Sequence, residues 1–384
     1  PDPTTPQPEV VNFRAARELR WTAIILPDLL DFRSSDDPDL FGSRKRSRRR
    51  FVVIDQTVYV LYGHRILALL KRYGIEHNTP FLIPGGEASK TEHTVARICA
   101  AMDEWGVQRF DEPMLIFGGG SVLDTAGEAA NRYRRGIERR NYGTTLVAMI
   151  DVMFAIKTAV NHGYKNRVGS YHPPAAAYGL SQCLGTLTRE QVLDGVGEIY
   201  KVGLMLDGEV FGLLEDPGPR LIVEHFQGQD PDTLAVLART LQAMSKELSN
   251  NPFEDNPARA SYGGHGISPG MEPEVTHGEA VVLDLLWTTM LSWRRGYLET
   301  PHRDRIVALA RLLGLPLWHP VLEHPERLTR ALADTARHRG GRQLIPAPVS
   351  SEGEYRPGKI AYLDGITDAE LQRALADLRA IAGA

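Results

Sequence analysis

Met114-Leu115-Ile116-Phe117-Gly118-Gly119-Gly120-Ser121-Val122-Leu123-Asp124 is the stretch that decides the fold. Four apolar residues in succession read as a strand buried on both faces, the form strands take in a parallel sheet. Three glycines follow at once, then the opening of a helix. Glycines between a strand and a helix let backbone N–H groups close on a pyrophosphate at the positive end of the helix dipole. The pattern is not GxGxxG, and packing in a tight turn accounts for three glycines equally well. Moving outward, Phe51-Val52-Val53-Ile54-Asp55 is a similar apolar run. It ends on an acid of the kind that can hold an adenosine ribose. Phe81-Leu82-Ile83-Pro84 is another, leading into Pro84-Gly85-Gly86-Glu87-Ala88-Ser89-Lys90. Helical periodicity covers about Leu67 to Tyr73 and Thr94 to Trp105. Strands alternating with helices predict a parallel sheet with helices on both faces, and all three loops then lie at the carboxyl ends of strands, where such sheets bind ligands.

The second half changes character. From Thr188 onward the periodicity is mostly helical, as in Leu234, Leu237, Leu241, Met244 and Leu248, one stripe of an amphipathic helix. The expectation is an α/β domain over residues 1–187, with an irregular N-terminal arm to about Ser47, and an all-α domain over residues 188–384. The Gly- and Pro-rich stretch Gly340–Gly358 is expected to loop back towards the cleft between them. With 44 Lys and Arg against 48 Asp and Glu, the net charge is −4. That balance offers no basic face for nucleic acid, and Arg44-Lys45-Arg46-Ser47-Arg48-Arg49-Arg50 reads as a solvated turn before a strand. Two cysteines, Cys99 and Cys183, exclude a disulfide framework and a multi-cysteine zinc site. No apolar run reaches the roughly 18 residues needed to span a membrane. The polar, proline-rich Pro1–Pro8 is not a signal peptide, so a cytoplasmic location is expected.

Two further groups of residues can carry chemistry. In Asp194-Gly195-Val196-Gly197-Glu198-Ile199-Tyr200-Lys201 the polar side chains recur at i, i+4 and i+7, on one side of a helix. Glu198 with His265, in Tyr262-Gly263-Gly264-His265-Gly266, and His277, in His277-Gly278-Glu279, makes one carboxylate and two imidazoles. That is a three-ligand zinc set with open coordination positions. The spacing fits no local metal motif, so a surface Glu198–Lys201 pair with two satisfied histidines stays open. The other group begins with Thr144-Thr145-Leu146-Val147-Ala148-Met149-Ile150-Asp151, read as a strand delivering Asp151. Lys157, Asn161, His162, Lys165 and Asn166 follow in a loop dense in cations and amides. Such a loop suits a phosphorylated polyol, with lysine as a point charge on phosphate.

Together these stretches resemble the dehydroquinate synthase-like sugar phosphate cyclases. The resemblance runs from about Phe51 to the tail. It is carried most specifically by Pro84-Gly85-Gly86-Glu87 with Lys90, Gly118-Gly119-Gly120 with Asp124, Arg135-Gly136, Thr144-Thr145, Asp151 with Lys157 and Asn161, Lys165-Asn166, Gly197-Glu198 with Lys201, Gly264-His265 and His277-Gly278-Glu279. It implies an NAD-binding Rossmann-like domain followed by a helical metal-binding domain, the active site between them, and a homodimer. By the same resemblance Asp55, Glu87, Lys90, Gly119, Gly120, Asp124, Thr144 and Thr145 are the NAD contacts. Glu198, His265 and His277 hold one divalent metal, zinc or cobalt. Asp151, Lys157, Asn166 and Lys201 handle hydroxyls, phosphate and proton transfers, and Arg135 reaches phosphate from a neighbouring subunit.

The departures narrow the branch. Dehydroquinate synthases place a carboxylate-binding arginine and an asparagine seven and three residues before the first metal histidine; here those positions are Ala258 and Tyr262. Arg259 stands one residue out of register, and Pro269 replaces a second expected histidine. Asn251-Pro252-Phe253-Glu254-Asp255-Asn256, Ser268-Pro269 and Tyr171-His172-Pro173-Pro174 resemble instead the branch that cyclises sedoheptulose 7-phosphate to C7 cyclitols. The segment Val152-Met153-Phe154-Ala155-Ile156 is bulkier than that branch implies, which leaves the product stereoisomer open. A metal-dependent polyol dehydrogenase that releases NADH is the reading from another class, and the cluster of Lys157, Lys165, Asn166 and Lys201 argues against it.

Overall fold

The computed structural model describes residues 14–16, 18–27, 39–227, 230–350 and 356–384. Pro1–Pro8, most of the expected arm and part of the 340–358 stretch lie outside the described residues. The first half is built on parallel strands β1 (Thr22–Ile25), β2 (Arg49–Asp55), β3 (Glu76–His77), β4 (Phe81–Ile83), β5 (Met114–Gly118) and β6 (Arg139–Gly143), a hairpin β7 (Lys157–His162) and β8 (Tyr164–Tyr171), and strand β9 (Ala176–Gly179). The sheet order is β1-β9-β6-β5-β2, with β3 and β4 one after the other along the free edge of β2. Every pairing is parallel. Register sets Phe117, Tyr142 and Tyr178 side by side, and their rings stack at 4.2 and 5.2 Å between centroids.

Helices cover both faces, as strands buried on both sides require. Helix α1 (Gln56–Arg72) packs Val58, Tyr62, Ile66 and Leu70 on the face carrying Val52, Ile54, Leu115 and Phe117. Helices α2 (Glu92–Trp105) and α3 (Gly120–Arg132) pack on the face carrying Phe51, Val53, Met114 and Ile116. The carboxyl ends of β2, β4, β5 and β6 therefore present Asp55, the Pro84–Lys90 loop, Gly118–Gly120 and Thr144–Thr145 along one edge.

The second half contains α4 (Arg189–Met205), α5 (Gly208–Glu215), α6 (Gly218–Val223), α7 (Pro231–Asn250), α8 (His277–Arg294), α9 (Thr300–Leu312), α10 (Pro325–His338) and α11 (Asp368–Ala382). Helices α4 and α8 are buried over most of their length, α4 from Gly195 to Met205 and α8 from Ala280 to Ser292. The stripe on α7 is core: Leu237 and Met244 are buried. The sheet half and the helical half share that core, since a Cβ on Gly195 would lie 2.4 Å from the Leu146 side chain.

Four local expectations change. Helix α1 starts at Gln56, eleven residues before the periodicity becomes visible, and Asp55 caps it by accepting the amides of Thr57 and Val58. Thr144–Asp151 is not a strand. Strand β6 ends at Gly143, and residues 148–152 form one wide helical turn, so the apolar run there is buried helix. The cation- and amide-rich segment after it is the antiparallel hairpin β7–β8, turned by Gly163 at φ 68°. Within Gly340–Gly358, Ile345–Pro348 forms strand β10, paired with β11 (Ile360–Leu363), because its residues are fully buried and need backbone partners.

Candidate active site

At the sheet's carboxyl edge, Gly119 precedes α3 with no side chain capping it among the described residues, and since Val122 and Leu123 N–H donate to Gly119 O, the amides of Gly120 and Ser121 are those left to an anion. Thr144 is buried and its hydroxyl has no hydrogen-bond partner among the described residues. Thr145 accepts the amide of Ala148 at 3.1 Å. Asp55 uses one oxygen as the cap of α1. The Pro84–Lys90 loop passes over the other so closely that a Cβ on Gly85 would lie 2.6 Å from it. Burial pushes the Asp55 carboxyl up, against the two amides that it accepts. Lys90 is 3 % exposed, with Nζ 2.6 Å from Asp124 Oδ2 and 2.6 Å from Asn166 Oδ1. Burial likewise raises Asp124, with Lys90 opposing it. Glu87 accepts from Asn161 at 2.9 Å, and Gly86 N–H donates to Ser121 Oγ at 3.0 Å. Open helix amides, an unpartnered buried hydroxyl and glycine-thin walls fit a dinucleotide phosphate.

Across from that edge, Glu198, His265 and His277 offer ligand atoms that all lie within 4.8 Å of one another. Glu198 sits in the middle of α4 with no exposure, so the alternative of a surface pair with Lys201 does not hold. Among the described residues neither Glu198 oxygen has a hydrogen-bond donor in good geometry, although Lys201 Nζ stands against one of them. His277 Nε2 is 3.3 Å from the other. Burial alone raises the Glu198 carboxyl, but Lys201 and His277 hold it well below the usual carboxylate range. Burial, with Lys201 and His277 nearby, holds His265 well below the ordinary imidazole value. The outer ring nitrogens are spoken for: His265 Nδ1 is 3.1 Å from Gly263 O, and His277 Nδ1 is 3.0 Å from Glu272 Oε1. Each histidine thus turns Nε2 inward, as metal-bound imidazoles do. Burial lowers His277, but Glu198 and Glu272 together raise it to about 9. A buried carboxylate with lone pairs left over beside Lys201, facing two inward imidazoles, fits a divalent cation.

Lys157 lies in the field of Asp124 at the sheet edge and of Asp151, and Asn166 accepts from Lys90. Lys157 Nζ is 3.6 Å from Glu254 Oε1, and Glu254 also pairs with the buried Arg259. The Lys157 ammonium is raised against its desolvation by Glu254 and Asp151. Arg259 lies 3.8 Å over the Tyr262 ring. Lys165, next to Asn166 at the hairpin tip, pairs with Glu272, so the hairpin touches both the Lys90 loop and a metal-side carboxylate. Arg135 lies exposed at φ 66° in the turn after α3. Sequence reasoning missed Glu272 and Asp284. Of these only Asp284, a charge inside the apolar run of α8, left a local signal.

The family model for the 3-dehydroquinate synthase N-terminal region matches residues 80–194, and that for its C-terminal region matches residues 195–337. A 2-epi-5-epi-valiolone synthase of Actinoplanes sp. is 40% identical over 94% of this chain and 91% of that protein. A demethyl-4-deoxygadusol synthase of Trichormus variabilis is 35% identical over 86% of this chain and 81% of that protein. Among solved structures, the 2-epi-5-epi-valiolone synthase of Streptomyces hygroscopicus subsp. jinggangensis, with NAD+ and Zn2+ bound, superimposes with a TM-score of 0.88 at 35% identity, covering 97% of this chain and 100% of that one.

Proposed function

The chain belongs to the dehydroquinate synthase-like sugar phosphate cyclases, and on that premise we propose that it cyclises sedoheptulose 7-phosphate to a C7 cyclitol, 2-epi-5-epi-valiolone or a stereoisomer, with release of phosphate and with NAD recycled. Residues 1–187 form the NAD-binding half and residues 188–384 the metal- and substrate-binding half. Asp55, Glu87, Lys90, Gly119, Gly120, Asp124, Thr144 and Thr145 hold the dinucleotide, and Glu198, His265 and His277 hold one zinc or cobalt ion. A bound nicotinamide supplies reversible hydride acceptance, and the metal ion supplies Lewis acidity towards neighbouring substrate oxygens. Lys201 keeps Glu198 ionised. Asp151, Lys157 and Asn166 orient hydroxyls and the phosphate, with Arg135 reaching in from the second subunit of a homodimer. A departing phosphate can carry away the proton lost beside it, so no residue is assigned as a strong base.

The observation that carries the substrate class is a matched charge where a carboxylated substrate needs an unmatched one. The positions for a carboxylate-binding arginine and asparagine are Ala258 and Tyr262, and the out-of-register Arg259 is already paired with Glu254. Lys157 faces the same Glu254 and lies in the field of Asp151. A substrate carboxylate entering here meets two carboxylates for two cations and loses an uncompensated desolvation energy of several kcal/mol. The neutral hydroxymethyl ketone end of sedoheptulose 7-phosphate carries no charge to desolvate. Side-by-side assays of phosphate release should favour sedoheptulose 7-phosphate over the carboxylated dehydroquinate synthase substrate by roughly a hundredfold or more, if about 3 kcal/mol of transition-state binding is at stake. Comparable turnover of the two would overturn the reading. NADH accumulating in step with product would point instead to a polyol dehydrogenase.

A further inference from the structure

Asp284 is the eighth residue of α8 and is completely buried in an otherwise apolar stretch. A carboxylate there costs desolvation, and burial pushes it up from its ordinary value. Its partners explain its presence. Oδ2 accepts the amide of Ile267 at 2.6 Å and that of Ser268 at 2.9 Å, and Oδ1 accepts the Thr288 hydroxyl at 3.3 Å. Ile267 and Ser268 directly follow His265-Gly266, a segment that runs between helices with no ladder to satisfy its backbone. The opposite side of the segment is held by α10, where Thr335 donates its hydroxyl to Gly266 O at 3.1 Å. His277 is the first residue of the same helix that carries Asp284. One rigid helix therefore bears one candidate ligand at its start and, two turns on, grips the loop bearing the other. The two rings lie 5.4 Å apart between centroids.

We propose that Asp284 is a positioning residue for the metal centre: it accepts the backbone amides behind His265, and so fixes that imidazole relative to His277 and Glu198. The inference rests on the assignment of Glu198, His265 and His277 as metal ligands. It concerns hydrogen-bond acceptance rather than charge, which separates the expected behaviour of two substitutions. Asp284→Ala removes the acceptor and should weaken Zn2+ binding about 10- to 100-fold, the usual effect of losing an outer support of a ligand. Asp284→Asn can turn its amide oxygen to Ile267 and Ser268 and its NH2 to Thr288, and should recover most of that loss.

The experiment is a Zn2+ titration of the metal-free protein against a competing chelator, alongside an NAD titration and amide exchange at Ile267 and Ser268. Lost zinc affinity and faster exchange at those two amides in Asp284→Ala, rescue by Asp284→Asn, and unchanged NAD affinity in both are the expected result. Unaltered zinc affinity in a folded Asp284→Ala protein, or an Asp284→Asn protein no better than the alanine variant, would overturn it. If Asp284→Ala does not fold, Thr335→Val removes the opposite clamp and should lower zinc affinity in the same direction by a smaller factor; no change there would likewise overturn the proposal. Failure of the ligand assignment reads differently: wild-type zinc affinity would then survive His265→Ala.

Discussion

Replacing Lys90 by methionine tests the sheet-edge site and its energetics together. Lys90 Nζ lies 2.6 Å from Asp124 Oδ2, and the Asp124 side chain is 15 % exposed. Methionine fills most of the space of the lysine stem but leaves Asp124 with only the weaker help of Lys157 and Arg139. Breaking a buried pair from one side costs about 3–5 kcal/mol. The residual exposure of Asp124 argues for the lower end, about 3 kcal/mol at pH 7. For a chain of this length the unfolding entropy is roughly 0.8 kcal/mol/K, which places the fall in Tm near 4 °C. The pH dependence has a definite sign. Without Lys90 the folded-state pKa of Asp124 rises further above its unfolded value. The variant is therefore least penalised below the unfolded carboxylate range, near pH 4, and loses stability as the pH rises through the raised folded value. Removing the stranded charge as well, in Lys90→Met with Asp124→Leu, should restore most of the loss, because an apolar pair of similar size replaces a buried ion pair at little cost. Calorimetric melts of wild type, the single variant and the double variant between pH 4 and 8, without added NAD, read all of this. A single variant that melts within 1 °C of wild type at pH 7, or a double variant no more stable than the single, would refute the reasoning.

Other outcomes follow from the same geometry. His265→Ala should lose metal and activity together, since two ligands hold a divalent ion poorly; full metal occupancy in that variant by elemental analysis would sink the assignment. Gly278→Ala should destabilise by more than 3 kcal/mol and release the metal, because its Cβ would lie 2.1 Å from the Asp194 carbonyl oxygen; a near-wild-type melt would contradict the packing described for α4 and α8. Cys183, buried and pushed up to about 12 by desolvation, should resist iodoacetamide at pH 8 until the protein unfolds, which mass spectrometry of labelled peptides can follow.

The sheet was legible because its strands are buried on both faces, which turns each into an unbroken apolar run ending at a loop. The same signal misleads where burial has another cause. Leu146–Ile150 is as apolar as a central strand, yet it is a helical turn packed between the sheet and α4, and periodicity cannot separate the two in so short a run. The hairpin β7–β8 failed in the opposite way. Only Thr158 and Val160 of β7 are buried and β8 is half-exposed or exposed throughout, with Lys157, Asn161, Lys165 and Asn166 in contact with the Lys90 loop, Glu254 and Glu272, so the inward face is too short to announce a strand. The helical spacing of Asp194, Glu198 and Lys201 was readable and correct in direction. What spacing could not supply was the depth: α4 is buried around its whole circumference there, and the residue that completes His277, Glu272, lies on a different segment altogether.

The glycines beside the three candidate ligands show most clearly where the sequence meaning and the structural meaning diverge. Read along the chain, the absence of bulk in Gly263-Gly264-His265-Gly266 suggests room for a ligand to approach, and Gly197-Glu198 and His277-Gly278 are glycine-flanked too. In space each glycine is filled by protein. A Cβ on Gly197 would lie 2.7 Å from the Gly278 carbonyl oxygen, and Gly278 in turn abuts the backbone of Asp194. The Asp194 carboxylate accepts the Gly278 amide, so α4 and the first turn of α8 meet backbone to backbone. Gly264, at φ 77°, lays the His265 loop against Val281 of α8, where a Cβ would come within 2.7 Å. The small residues therefore close the distance between ligands and not the distance to a substrate. Helix axes normally pack 8–10 Å apart, set by the side chains at the contact. Removing those side chains at Gly197 and Gly278 lets two short donors, a glutamate on one helix and a histidine on the other, converge on a single ion.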